Sequence, residues 1–242
     1  MLKKKFSIEV NQLYKTYDID RYDLNFFFNY NNKRQIVALD NINIRIIEGE
    51  KIGLIGNNGA GKSTLLKIIS RITHPTSGSI AIYGRVASLL EAGVGFHLEL
   101  TGVENIYLNG AILGMSRKDI QKNVDKIIEF AGLSNFKETP LKKYSTGMQI
   151  KLGFSISVFL KSDILILDEI FSVVDQYFQE KCINQILKSC KEHNRTLIFV
   201  SHNLETVMGL CEKVIYIKNG RVEMFDEAKK VINLYQADLI RN

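Results

Sequence analysis

The chain has 242 residues, of which 45% are hydrophobic and 24% charged, with a net charge of +6. That is the composition of a globular protein, long enough for one large domain or two small lobes around an ample core, and it excludes global disorder. No apolar run approaches the ~18 residues that span a bilayer. The basic start, MLKKKFSIEV, has no apolar region of a signal peptide. The protein is therefore expected in the cytosol unless a membrane partner holds it. Cys182, Cys190 and Cys211 are widely spaced and fit reduced, structural thiols. His74, His97, His193 and His202 show no zinc-ligand spacing. The basic excess fits a solvated surface with a slight lysine surplus; anionic lipid and nucleic acid are the other partners such a charge suits, and it does not choose among them.

In chain order, FSIEVNQLYKTY predicts an early strand, and residues 18–36, rich in Asn, Asp and aromatics, break its pattern. VALDNINIRIIEGEKIGLIG returns to strand character, and IGLI is the continuous apolar run of a buried parallel strand. It leads into a glycine-rich loop and a helix, KSTLLKIISRI, expected to end at His74 and Pro75. Thr101 and Glu104 stand at capping-box spacing before a second helix. In SRKDIQKNVDKIIEFAG, Ile120, Val124, Ile127, Ile128 and Ala131 share one helical face, and Gly132 stops it. YSTGMQ opens another helix, with Ser145 at the N-cap position. The strand ILILD, a polar helix and the strand TLIFVSH follow. VIYIKNGRVEMF reads as a hairpin turning at Asn219–Gly220, and a closing helix is placed from Asp226. Strands alternating with helices predict an α/β layer fold, with the helical stretch 101–160 as a lobe inserted into it.

The strongest chemical signal is GNNGAGKST, residues 56–64. Glycines at these spacings let a loop turn several backbone N–H groups, those of Asn57, Asn58, Gly59, Ala60 and Gly61 among them, onto phosphate oxygens. The following helix end adds partial positive charge. Lys62 then reaches the β- and γ-phosphates, and Ser63 and Thr64 follow it, Ser63 as a magnesium ligand. The pattern arises by chance in roughly 1% of chains this long. In DILILDEI the apolar run ends in Asp168 and Glu169. At the mouth of a buried strand, Asp168 suits magnesium and Glu169 suits orientation or deprotonation of an attacking water. FVSHN ends the next strand with His202, a polar group able to contact a γ-phosphate or that water; a strand-end histidine with a local hydrogen bond is the alternative.

Order, spacing and strand context together resemble the nucleotide-binding subunit of an ABC transporter over nearly the whole chain. The resemblance implies a P-loop ABC ATPase fold with a mixed-sheet catalytic core and an inserted α-helical lobe, spanning 1–242 as one nucleotide-binding domain without an appended carbohydrate-binding domain. Gly56–Thr64 resembles Walker A, Ile164–Glu169 Walker B and His202 the switch histidine. Asp175 falls at the D-loop aspartate and YSTGMQ at the signature sequence. Two subunits of such proteins pair head to tail, so Ser145 and Gly147 are expected to meet the nucleotide held by the partner. Tyr17 falls near the adenine-stacking aromatic, with a core tyrosine as the alternative. The sequence departs from the family at Thr146 and Met148. It also lacks a Q-loop glutamine, for which Glu91 is a candidate.

SLLEAGVGFHLELTGVENIYLNG, YSTGM and FQEKC (Phe178 to Cys182) resemble one subgroup, the ATPases that export lipid-linked polysaccharides such as O-antigen, capsule and teichoic acid. What this implies is an ATPase using ATP and Mg2+, working as a homodimer with an integral-membrane permease at the cytoplasmic face of the bacterial inner membrane. Its expected substrate is a lipid-linked glycan, with no nucleic acid. DLNFFFNY would be a gate-like element facing the membrane, or an aromatic patch on the domain's own body. The alternatives are another transport ATPase, for a lipid, drug or peptide, and a soluble ABC-type ATPase.

Overall fold

A computed structural model describes residues 5–19, 34–88, 95–168 and 175–241. The chain divides into two compact units, Met1–Tyr83 with Val200–Asn242, and Gly84–Phe199.

The first unit rests on a long antiparallel pairing of β1 (Phe6–Ile19) with β2 (Arg34–Ile47), with β4 (Ser77–Ile82) on the other edge of β1. Period-2 alternation drives it: Ile42, Ile44 and Ile46 are buried, while Asn43 and Arg45 between them are exposed. Asp18, Ile19 and residues 34–36, read from the sequence as part of a break, belong to this ladder, with Asp18 opposite Gln35. Gln35 Nε2 donates to Asp18 Oδ1 at 3.1 Å. Cross-strand polar pairing of this kind stabilises a strand end that an apolar pattern does not register. The DLNFFFNY segment lies outside the described residues.

In the same unit β3 (Lys51–Ile55) pairs in parallel with β8 (Lys213–Lys218), and β9 (Arg221–Glu227) pairs antiparallel with β8, so strand directions are mixed. Asn219 (φ 50°) and Gly220 (φ 79°) make the predicted two-residue turn. Helix α1 (Lys62–Ile69) stops well before the His74–Pro75 boundary expected from the sequence. Arg71 adopts φ 60°. Arg71 N–H then reaches the Ile68 carbonyl at 3.0 Å, and Ile72 N–H reaches Lys67 at 2.8 Å. This is a Schellman stop built on a non-glycine residue. Helix α6 spans Leu204–Leu210, and the closing helix α7 (Ala228–Arg241) begins two residues later than Asp226. Asp226 and Glu227 are instead paired with Val214 and Lys213 in the β8–β9 ladder.

The second unit holds β5 (Val86–Ser88), β6 (Ile164–Leu167) and β7 (Thr196–Val200) in parallel, with every residue of β6 and β7 buried. It contains α2 (Gly102–Ile112), α3 (Arg117–Ala131), α4 (Thr146–Val158) and α5 (Gln176–His193). The capping box at Thr101–Glu104 is formed, and α3 ends at Gly132 in the left-handed region. Of the predicted apolar face of α3, Ile120, Ile127, Ile128 and Ala131 are buried and Val124 is half-buried. Burial pushes the Cys182 and Cys211 thiols up to about 12, so both stay protonated and inert. Among the described residues no helix is long and apolar enough to cross a membrane.

Asn105, fully buried on α2, clamps the loop before that helix. Its Oδ1 accepts from His97 N at 2.8 Å, and its Nδ2 lies 3.0 Å from the carbonyls of His97, Leu100 and Thr101. Asn105→Ala would strand these groups and is expected to cost about 1–3 kcal/mol. Urea unfolding followed by circular dichroism checks this, and an unchanged midpoint would mean the loop is held by other contacts.

Candidate nucleotide site

The glycine-rich loop begins where buried β3 ends and closes on the first turn of α1. Two of its glycines are required by close backbone approaches as well as by positive φ. A Cβ on Gly56 (φ 151°) would meet the Ile217 carbonyl oxygen at 2.2 Å. One on Gly61 (φ 108°) would meet the Ala38 carbonyl oxygen at 2.5 Å. The β8–β9 turn buttresses the loop from below: Gly220 N–H donates to the Ala60 carbonyl at 2.9 Å, and Asp40 N–H to the Gly220 carbonyl at 2.8 Å. Tyr235 of α7 donates its hydroxyl to Asn57 Oδ1 at 3.2 Å. A cavity of about 80 Å³ lies between residues 57–60 and 216–219.

Lys62 is 8% exposed, and its ammonium donates to the carbonyls of Gly56 at 2.7 Å and Asn57 at 3.1 Å. The cation is thus fixed at the mouth of the loop rather than free to sweep. Asn57, Asn58, Gly59 and Ser63 are exposed around it, with Thr64 half-buried. The helix end itself differs from its neighbours. Thr101, Ser116, Ser145, Asp175 and Asn203 each cap the start of α2 to α6 with a side-chain oxygen. Gly61 offers α1 none, and no acidic residue stands in its first turn. The first N–H groups of α1 and its partial positive charge therefore lack an internal acceptor of that kind, which suits an external anion.

Tyr17 is 40% exposed, which removes the core-tyrosine alternative. It pairs with Ile36, two residues (about 7 Å) along β2 from the Ala38 carbonyl that abuts Gly61. The Lys15 ammonium lies 4.9 Å from the centre of its ring. His202 stands exposed after β7, just before Asn203 caps α6.

In the other unit, Asp168 follows buried β6 directly and is half-buried. Ser145 caps α4, accepting from Met148 N at 3.2 Å, yet Ser145, Thr146 and Gly147 are all exposed. By helix geometry the N–H groups of Thr146 and Gly147 have no intrahelical acceptor. A capping serine and an outward-facing helix end therefore coexist in YSTGMQ. Asp175 caps α5, accepting from Phe178 N at 2.9 Å. Glu169 and Glu91 lie outside the described residues.

Sequence reasoning missed Lys151. Its ammonium pairs with Asp175 at 2.5 Å and lies 5.4 Å from the Phe178 ring centre, tying the second turn of α4 to the start of α5. The available signal was a lone charge within the otherwise uncharged run TGMQIKLGFSISV. The Lys151 hydrogen bond, followed by the Phe178 N–H, holds the Asp175 carboxyl below its ordinary value of 3.8. A depressed folded-state pKa means that the contribution is present above the ordinary aspartate range and is lost as pH falls through the lowered value. In Lys151→Met the Asp175 midpoint is expected to move up toward the ordinary value, read by carboxyl-carbon NMR. An unchanged midpoint would place the cause elsewhere.

Comparison with known proteins gives the chain its relatives. The ABC transporter family model matches residues 39–172. The O-antigen export system ATP-binding protein RfbB of Klebsiella pneumoniae is 46% identical over 203 residues, covering 84% of this chain and 82% of that protein. The teichoic acids export ATP-binding protein TagH of Staphylococcus epidermidis is 43% identical over 209 residues, covering 86% and 78%. Among solved structures, the ATP-binding cassette MJ0796, a dimer in a post-hydrolysis state bound to ADP and Pi, superposes with a TM-score of 0.73 at 23% identity. That match covers 91% of this chain and 98% of the other, and at this identity it establishes the fold alone.

Proposed function

The chain belongs to the ABC transporter family, and we propose that it is the ATP-hydrolysing subunit that powers export of a lipid-linked polysaccharide through a separate membrane permease. The observation that carries the ATPase part is the uncapped α1 end with Lys62 locked at its mouth. The export part is supported by relatives above 40% identity that are named as ATP-binding proteins of O-antigen and teichoic acid export systems. The reading takes residues 1–242 as one ABC-type nucleotide-binding domain, with the helices of 101–160 as its lobe, at the cytoplasmic face of the membrane.

In this reading the loop N–H groups, the α1 end and Lys62 hold the phosphates, and the Tyr17 ring stacks on the base. Ser63 and Asp168 offer a hydroxyl and a carboxylate, the hard oxygen donors that suit magnesium, which when bound supplies charge neutralisation at the phosphates. Glu169 orients and deprotonates the attacking water, and His202 contacts it or the γ-phosphate. Ser145 and Gly147 meet the nucleotide of the partner subunit. Their exposure together at a positive helix end is what supports this, since a purely local cap needs no open face. The loop 96–104 would receive the permease: it presents Leu98, 52% exposed, on a backbone held rigid by Asn105.

A mixed dimer tests the pairing. With Lys62→Ala in one subunit and Ser145→Arg in the other, head-to-tail pairing puts both defects in one composite site and leaves the second intact, so close to half of the ATPase turnover should survive. Loss of all turnover would show that Ser145 acts on its own subunit's nucleotide.

Deletion of the gene is expected to leave glycan synthesis running but to stop export. Lipid-linked glycan should then accumulate inside the cell, with a bare surface, when cytoplasmic and surface fractions are extracted. A normal glycan surface with defective lipid, peptide or drug efflux would move the chain to another class of transport ATPase.

A further inference from the structure

The amino ends of β6 and β7 border a cavity of about 670 Å³ within the Gly84–Phe199 unit. That volume falls in the ~300–1,000 Å³ span of small-molecule sites. The cavity lies at the end of β6 opposite Asp168, and four strand residues at ~3.3 Å each put roughly 13 Å between the two ends.

We propose that this cavity binds a phosphate-bearing small molecule, its oxyanion held by Arg195, Ser162 and Ser189.

Arg195 is 2% exposed, and among the described residues no carboxylate lies within ion-pair distance of it. Its Nη1 donates to Ser189 Oγ at 2.8 Å and its Nη2 to Ser162 Oγ at 2.5 Å. Each hydroxyl accepts one of these bonds and keeps a proton to give, and neither gives it to a described residue. The buried Arg195 Nε–H has no acceptor among the described residues. The two hydroxyl protons beside the cavity and the buried Nε–H are therefore unspent, whereas buried polar groups are ordinarily satisfied. What answers the two hydroxyl protons and the guanidinium charge together is a ligand that accepts hydrogen bonds and carries negative charge, which is an oxyanion.

Net charge alone would not single out this site. Asp163 and Glu192 line it, and the carboxyl ends of α4 and α5 approach it, each offsetting about half a charge. Lys161 is spent on Asp119 at 2.6 Å. However, the two lining carboxylates are exposed and screened by solvent, while Arg195 is not. Lys126, also at the rim, has no ion pair among the described residues and is placed to add long-range attraction. The volume exceeds what one phosphate fills, and the Gln185 amide, without a hydrogen-bond partner among the described residues, is suited to a polar body attached to it.

The test uses the full chain carrying Lys62→Ala, so that phosphate uptake by the glycine-rich loop is removed. Inorganic phosphate, glucose 6-phosphate and glucose are titrated by calorimetry. Binding of both phosphates but not of glucose is expected, weakened about tenfold by Ser189→Ala and again by Lys126→Glu. A preference for glucose 6-phosphate would identify a phosphorylated small molecule as the ligand; equal affinity would identify free phosphate, with the oxyanion site standing in either case. Arg195→Gln should abolish binding, and because that variant can unfold, Ser189→Ala carries the decision. The proposal is overturned if neither phosphate binds, or if binding survives Ser189→Ala at full strength. It is also overturned if binding occurs only with Lys62 intact, which would assign the ligand to the glycine-rich loop. None of these outcomes bears on whether the chain hydrolyses ATP.

Discussion

The glycine-rich loop depends on backbone touching backbone. Gly56 lies against the Ile217 carbonyl and Gly61 against that of Ala38, at distances that exclude any side chain. Those contacts force left-handed or extended turns on the loop, and the turns direct its N–H groups along one path. The Asn219–Gly220 hairpin closes the arrangement by hydrogen bonding to Ala60 on one side and Asp40 on the other. Lys62 then bonds to the loop's own carbonyls, so its charge is held in place by the loop itself. Preorganisation of this kind removes the entropic cost of gathering donors around a polyanion.

Helix starts distribute charge in different ways along the chain. Where a helix only has to stop, its start is capped by a side-chain oxygen, as at Thr101, Ser116, Asp175 and Asn203. At α1 the cap is a glycine, which offers the first turn no side-chain oxygen. At α4 both conditions hold: Ser145 satisfies Met148 N–H, while the first turn remains exposed. A capped but open end suits contact with a nucleotide that comes and goes, because the helix remains stable when the contact is absent. The Lys151–Asp175 pair extends this by linking α4 to the residue that starts α5, so displacement of one is felt by the other.

The buried polar groups of the Gly84–Phe199 unit follow two different logics. Asn105 is saturated: its amide spends every donor on the loop it holds, and it therefore acts as a fixed strut. Arg195 is not saturated, although it is almost as buried. Burial costs a polar group its water in both cases, so the contrast lies in whether the protein replaced that water.

Sequence by itself determined the α/β class, the position of the glycine-rich loop between β3 and α1, the capping box at Thr101, the stop at Gly132, the cap at Ser145 and the Asn219–Gly220 turn. Each of these depends on residues within a few positions of one another, where backbone sterics and short-range hydrogen bonds decide the outcome. Tertiary structure decided the rest. The first helix ends at Ile69 because Arg71 accepts a left-handed conformation, which its composition disfavours. The strands around 18–36 extend further than their apolar pattern because Gln35 meets Asp18 across the ladder. Lys151 finds Asp175, and Arg195 settles between two serines, with no carboxylate in ion-pair reach among the described residues, only once strands and helices distant in sequence have packed. Such pairings leave no periodic trace in the chain, because their energy comes from neighbours that the fold supplies.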